Sequence, residues 1–129
     1  MANHSGQLNE GMQQWLVSHA SRPSVAMKQL WKSTKVLEDA EMLTSPEQLQ
    51  FLAFLASSIG AIHAIEVGVY TGASALAVAE VLPEEGTLIA CDLTDEYLSF
   101  AKSAWEAGGV AHKIEMRIGP ALESLQSLI

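Results

Sequence analysis

The segment Ile62–Ser74 constrains this chain more than any other. A short apolar run ends on the carboxylate of Glu66, Gly68 and Gly72 follow with three residues between them, and Ser74 opens an alanine-rich stretch. Strand, tight turn and helix start, in that order, form the place where an α/β sheet holds a nucleotide-like ligand.

The residues around this segment fit the same architecture. Ala61–Glu66 is expected as a first strand and Ala73–Leu82 as its crossover helix. Pro83-Glu84-Glu85-Gly86 turns the chain into a second strand, Thr87–Asp92. A helix over Asp95–Ala107 stops at Gly108-Gly109, and a third strand, His112–Ile118, precedes a third helix, Pro120–Leu128. Strands alternating with helices of about ten residues predict right-handed βαβ units and a parallel sheet. Upstream, Leu8, Met12, Trp15, Leu16 and His19 have helical spacing, and Ser21-Arg22-Pro23 breaks that helix. Ser24 can cap a second helix running to about Leu37, whose Lys28, Lys32 and Lys35 form either a solvated stripe or a contact for an anionic substrate or partner chain. Thr44-Ser45-Pro46-Glu47 supplies a hydroxyl cap, a first-turn proline and an acid for a third helix, stopped by Gly60. Residues 1–60 therefore read as an N-terminal helical segment for lid or oligomer contacts, and 61–129 as a βαβαβα unit.

Composition narrows the function classes. The net charge is −8 and the seven Lys and Arg form no long cluster, so no nucleic-acid groove is expected. No apolar run approaches the ~20 residues that cross a bilayer, and Met1–Gly6 has no basic start with an apolar core behind it, so neither membrane nor secretory signal is expected. A single Cys91 excludes an internal disulfide and suits a reducing cytoplasm. The expected partner is a small molecule.

A carboxylate closing an apolar strand, as Glu66 does, is costly unless it meets donors or a cation. Gly68 allows close approach of a ligand, Gly72 relieves the turn, and Ser74 lies beside free N–H groups that suit a ligand carboxylate. Asp92 closes the second strand 26 residues after Glu66, so two neighbouring strands present acids at one edge. Asp92 can accept both hydroxyls of a ribose, or it can cap the following helix. A nicotinamide site needs G-x-G-x-x-G for its pyrophosphate. Here Tyr70 and Thr71 take the places of the second glycine and the residue after it, and Glu66 adds a negative charge. A sulfonium ligand with an ammonium end tolerates both, and S-adenosylmethionine is the expected cofactor.

At this point the sequence resembles the cation-dependent O-methyltransferases that include the caffeoyl-CoA and catechol enzymes. Met42-Leu43-Thr44-Ser45-Pro46-Glu47-Gln48 is similar to that family's segment ahead of the first strand, and Ile65–Ser74 to its E-I/L-G-x-F/Y-T-G-Y/A-S turn. Leu88–Asp92 resembles the ribose strand, Ala107–Ile114 the A-G-V-x-x-K-I approach to the third strand, and Gly119-Pro120-Ala121-Leu122 the G-P-A-L after it. The resemblance implies a Rossmann-like class I methyltransferase fold. It further implies that Met42 and Thr44 close over the cofactor, that Glu66, Gly68, Val69 and Tyr70 line its methionine portion, and that Ser74 holds its carboxylate. Asp92 would take the ribose, and the backbone of Ala121 would meet the adenine edge. Ala73 stands where the family often has tyrosine, which opens one wall of the pocket. The implied reaction is methyl transfer to a small phenolic or catechol-type hydroxyl, assisted by a divalent cation such as Mg or Ca.

The family's metal ligands and catalytic base lie after the fourth strand, so no catalytic or metal-binding residue is assigned here. The four histidines have no ligand spacing, His63 and His112 read as structural, and Cys91 as a small buried hydrophobe. With the fold truncated after its third β-α unit, the first strand is expected at an open edge, where the complete family sheet would continue. A fragment or truncated product, a self-associating and catalytically silent half-domain (a homodimer), and a chain working beside a second polypeptide all fit that expectation.

Overall fold

The computed structural model describes residues 8–129; Met1–Gly6, read as free of a leader, lies outside them. Helix α1 spans Glu10–Ala20, with Asn9 accepting from the Met12 N–H at its start. Helix α2 spans Val25–Thr34, capped by Ser24, which accepts from the Met27 N–H at 3.1 Å. It stops short of Leu37. Thr34 is fully buried there and donates its hydroxyl to Thr71 at 3.0 Å, while the apolar Val36 beyond it faces solvent. A 3-10 turn over Ala40–Met42, unforeseen in the sequence, leads to α3, Pro46–Ser58. Its hydroxyl cap is Ser45, which accepts from Gln48.

Gly60 ends α3 in the left-handed region, with the N–H of Gly60 on Ser57 O and that of Ala61 on Ala56 O. This pair of bonds is the Schellman stop. Because Ala61 is used in it, strand β1 begins later than its apolar run, at His63, and ends at Val67. Helix α4 follows as Ala73–Ala79, then β2 as Thr87–Asp92 and α5 as Leu98–Ala107. A second 3-10 turn over Ala111–Lys113 moves the start of β3 from His112 to Ile114. Strand β3 spans Ile114–Ile118 and α6 spans Ala121–Gln126.

The three strands are parallel in the order β1-β2-β3, with Ile65 opposite Ile89 and Ile89 opposite Glu115. The α/β expectation holds, and β1 lies at an edge of the described sheet. Helix α2 packs against both α4 and α5, and α3 lies against α4. Leu76, Leu88, Ala90 and Ala101 are fully or almost fully buried at the centre, joined by Met27 and Leu30 from α2 and Trp105 from α5. Lys113, 8% exposed, donates to the carbonyls of Leu82 at 2.9 Å and Ala79 at 3.4 Å, and so closes the end of α4. His63 bonds Thr87 at 2.8 Å and His112 pairs with Glu84 at 3.1 Å, both structural contacts. Cys91 is fully buried. Among the described residues no helix is long and apolar enough to cross a membrane.

Candidate functional site

The C-terminal ends of β1 and β2 lie side by side, with Val67 opposite Cys91 and the Gly68 N–H on Cys91 O at 2.9 Å. This register puts Asp92 next to the βα turn that leaves β1. Its Oδ2 accepts from the N–H groups of Val69 at 2.8 Å and Tyr70 at 3.1 Å, and its Oδ1 from Leu93 at 2.7 Å. Burial alone pushes the Asp92 carboxyl up. The N–H groups of Val69, Tyr70, Leu93 and Thr94 outweigh it and hold the acid below its usual range. Asp92 thus pins the turn, and Tyr70, at φ +52°, is the only non-glycine described residue with positive φ. A tyrosine in that region is uncommon, and such strain clusters at functional sites.

Glu66 accepts a hydrogen bond from the Ser74 hydroxyl, joining two residues that the sequence assigns to opposite ends of one ligand group. Its second oxygen, Oε2, is buried and has no partner. Burial raises the Glu66 pKa to about 7; the Ser74 bond opposes the shift and the charge of Asp92 adds to it. Glu66 and Asp92 therefore feel one another on the same rim of the sheet, as their spacing predicts.

A cavity of about 440 Å³ opens at this rim. Of the residues singled out in the sequence, Met42, Gly68, Val69, Tyr70 and Asp92 line it. Glu66, Ser74, Thr44 and Ala121 lie outside its lining, Ala121 as the first residue of α6. The lining also contains Asp39, Thr94, Tyr97 and Met116, which the sequence reading missed. Tyr97 packs edge-on against Tyr70, with ring centroids 4.7 Å apart, and donates its hydroxyl to Asp39 Oδ2 at 2.8 Å. The Tyr70 hydroxyl is buried without a partner. An aromatic residue five places after the strand-ending acid is a signal that could have pointed to Tyr97; nothing local pointed to Asp39.

The two glycines of the turn differ. A Cβ on Gly68 would meet nothing within 4 Å, whereas one on Gly72 would come within 2.8 Å of both Ala101 Cβ and Trp105 Nε1. Trp105 Nε1 also donates to Gly72 O at 3.1 Å. Gly72 thus serves packing against α5, while Gly68 borders the cavity. Among the described residues no group of three or more His, Cys, Asp or Glu side chains could hold a metal ion.

An O-methyltransferase family profile matches residues 17–129. A probable caffeoyl-CoA O-methyltransferase 2 of Dictyostelium discoideum is 36% identical over 124 residues, covering 95% of this chain and 54% of that protein. Caffeoyl-CoA O-methyltransferase 1 of Zea mays is 44% identical over 108 residues, 84% of this chain and 42% of its own length. Among solved structures, the O-methyltransferase TomG from Streptomyces achromogenes, in complex with SAM, superposes with a TM-score of 0.82 at 26% identity, covering 92% of this chain and 53% of TomG. The chain spans about half the length of the relatives it matches. With a parallel βα turn, paired rim acids and a profile match over most of its residues, this chain belongs to the O-methyltransferase family.

Proposed function

We propose that this chain binds S-adenosylmethionine in the rim cavity, and that this site serves methyl transfer to a small phenolic or catechol-type hydroxyl. The observation that carries the proposal is the meeting of Asp92 and the Gly68–Tyr70 backbone at one cavity, with the unpartnered Glu66 Oε2 on the same rim. S-adenosylmethionine supplies an electrophilic sulfonium methyl; the chain's residues bind and orient it.

Asp92 would accept the ribose hydroxyls. Its oxygens already accept from three N–H groups, of Val69, Tyr70 and Leu93, which leaves room for a further donor. The ribose would approach Oδ1, on the Leu93 side, because the Val69 and Tyr70 bonds to Oδ2 hold the turn. Glu66 Oε2 would take the ammonium, with the Ser74 hydroxyl committed to its other oxygen, so the ligand carboxylate would fall to the Ser74 N–H in the first turn of α4. Gly68, Val69 and Tyr70 would border the methionine portion. Met42 and Thr44 would cover the ligand from the helical segment, and the Ala121 backbone would meet the adenine edge. A divalent cation would assist the reaction in the complete family; among the described residues none is assigned to holding one. The reading places the protein in the cytoplasm, where the buried thiol of Cys91 stays reduced.

Calorimetry with S-adenosylmethionine on wild type, Asp92→Ala and Asp92→Asn tests this. Wild type should bind, and Asp92→Ala should weaken binding at least about tenfold, the equivalent of one good charged hydrogen bond. Asp92→Asn, which keeps an acceptor for the Val69 and Tyr70 N–H groups, should fold normally and still bind less tightly. Equal heats for all three would overturn the ribose assignment, and binding of NADH without S-adenosylmethionine would overturn the cofactor. The exposed apolar side chains on edge strand β1 favour a second reading, a catalytically silent module that self-associates as a homodimer.

A further inference from the structure

We propose that Tyr97 is a positioning residue: through its hydroxyl bond to Asp39 it latches the Ala40–Met42 turn over the cavity and sets how long the cofactor stays bound. The inference rests on the S-adenosylmethionine reading of the site.

Three observations support it. The first is reach. The Tyr97–Asp39 bond joins residues 58 apart in sequence, one in the loop after β2 and the other in the connection from α2 to α3, and both line the cavity. The second is that the Asp39 side chain is free for this task. Asp39 occupies the cap position of the 3-10 turn, yet its carboxylate makes no cap bond; only its carbonyl serves the turn, accepting from Met42 N–H at 2.9 Å. Beyond it, Met42 lines the cavity and is half exposed, so what holds the turn also holds Met42 over the opening.

The third is continuity with the cofactor turn. The Tyr97 ring rests edge-on against Tyr70, whose N–H is bonded to Asp92. Asp39 and Glu41 both lie close enough to raise the pKa of Tyr70 after burial has done so. One path thus links the ribose acid, the strained turn residue, the aromatic pair and the helical segment. The connection from α2 to α3 is fixed at its two ends, by buried Thr34 on Thr71 and by buried Leu43 and Ser45. Asp39 lies between those anchors, where the segment borders the opening. A phenol–carboxylate bond there is exposed to water and is cheap to break and remake. The bond to Asp39 pushes the Tyr97 pKa up to about 12, so the phenol keeps the proton it donates throughout the neutral range.

The test uses Tyr97→Phe, which keeps the ring on Tyr70 and removes the hydroxyl, with Asp39→Ala and Asp39→Asn. Two readouts are needed: S-adenosylmethionine dissociation by stopped flow, and hydrogen exchange of the Met42 and Leu43 amides without ligand. Tyr97→Phe and Asp39→Ala should each speed dissociation roughly three- to tenfold and speed exchange, and the double variant should be no faster than either single one. Asp39→Asn keeps an acceptor and should stay close to wild type. If Asp39→Asn is as fast as Asp39→Ala, the carboxylate acts by charge and the latch is overturned; additive effects in the double variant overturn it too. Unchanged exchange in Tyr97→Phe overturns the latch whatever the ligand does. A wild type that binds no S-adenosylmethionine while Tyr97→Phe speeds exchange overturns the cofactor reading instead.

Discussion

Glu66 holds its proton where an ordinary carboxylate would have lost it, because most of its surroundings are protein and one oxygen has no donor. The unfolded chain releases this proton near pH 4.5 and the folded chain near pH 7. Between those values the folded state binds more protons, so stability falls as pH rises, and the full cost is present above the upper value. Glu66→Gln removes that slope. It should leave stability nearly unchanged at about pH 4.5 and raise it by on the order of 2 kcal/mol at about pH 8, measured by urea denaturation. A variant no more stable than wild type at the higher pH would show that Glu66 finds a partner on ionising. On the proposed reading the same proton would be coupled to the ligand, because an ammonium facing Oε2 favours the ionised acid. Wild-type affinity relative to Glu66→Gln should therefore rise from about pH 5.5 to about pH 7, below the ligand amine's own titration near about pH 8. A flat ratio places the ammonium elsewhere.

At the scale of elements, the turn between β1 and α4 separates packing from binding. Gly72→Ala would push a methyl into Ala101 and Trp105 at a φ of +83°, and should cost about 3 kcal/mol of stability through overpacking and backbone strain. Gly68→Ala has open space beside it and should cost only about 1 kcal/mol for its φ, while losing affinity for S-adenosylmethionine. Urea denaturation paired with calorimetry separates the two; equal stability losses would refute the division. This turn was legible in the sequence because its signals are local: an apolar run, an acid, two spaced glycines and a helix start. Strand β2 was legible to the residue, for the same reason. What escaped depends on distant partners. Helix α4 ends early, at Ala79, whose carbonyl and that of Leu82 beyond it accept from Lys113, a residue more than 30 positions away. Helix α5 starts late because Asp95–Tyr97 forms a turn, from which Tyr97 reaches Asp39. Ser74 turns to Glu66, a contact that the two separate assignments did not anticipate. Acids and glycines announced the site; the aromatic pair and the carboxylate that complete its wall are brought there only by folding.

For the whole molecule, one buried cluster runs from Ala26, Met27 and Leu30 of the helical segment to Leu76, Ala101 and Trp105 of the βα units. The buried Thr34–Thr71 bond ties the same two parts at the cofactor turn. The helical segment is thus packed into the sheet's own core, and a disturbance there reaches the turn through α2. The opposite situation holds at β1, which among the described residues has a hydrogen-bonded neighbour only on the β2 side. Its Ile65 and Val67 are 55% and 59% exposed, although parallel strands are normally covered on both faces. An unpaired apolar edge is a template for another strand, and lysines are a common way to blunt one. On the second reading proposed above, a second copy of this chain presents the same edge and would pair with it isologously through β1. Light scattering from about 10 to about 200 μM should give a mass above the 13.8 kDa of one chain and rising with concentration. Ile65→Lys with Val67→Lys should return the monomer with an unchanged circular dichroism spectrum. A constant monomer mass in wild type would remove the self-association reading, and an undiminished mass in the double variant would move the contact away from β1.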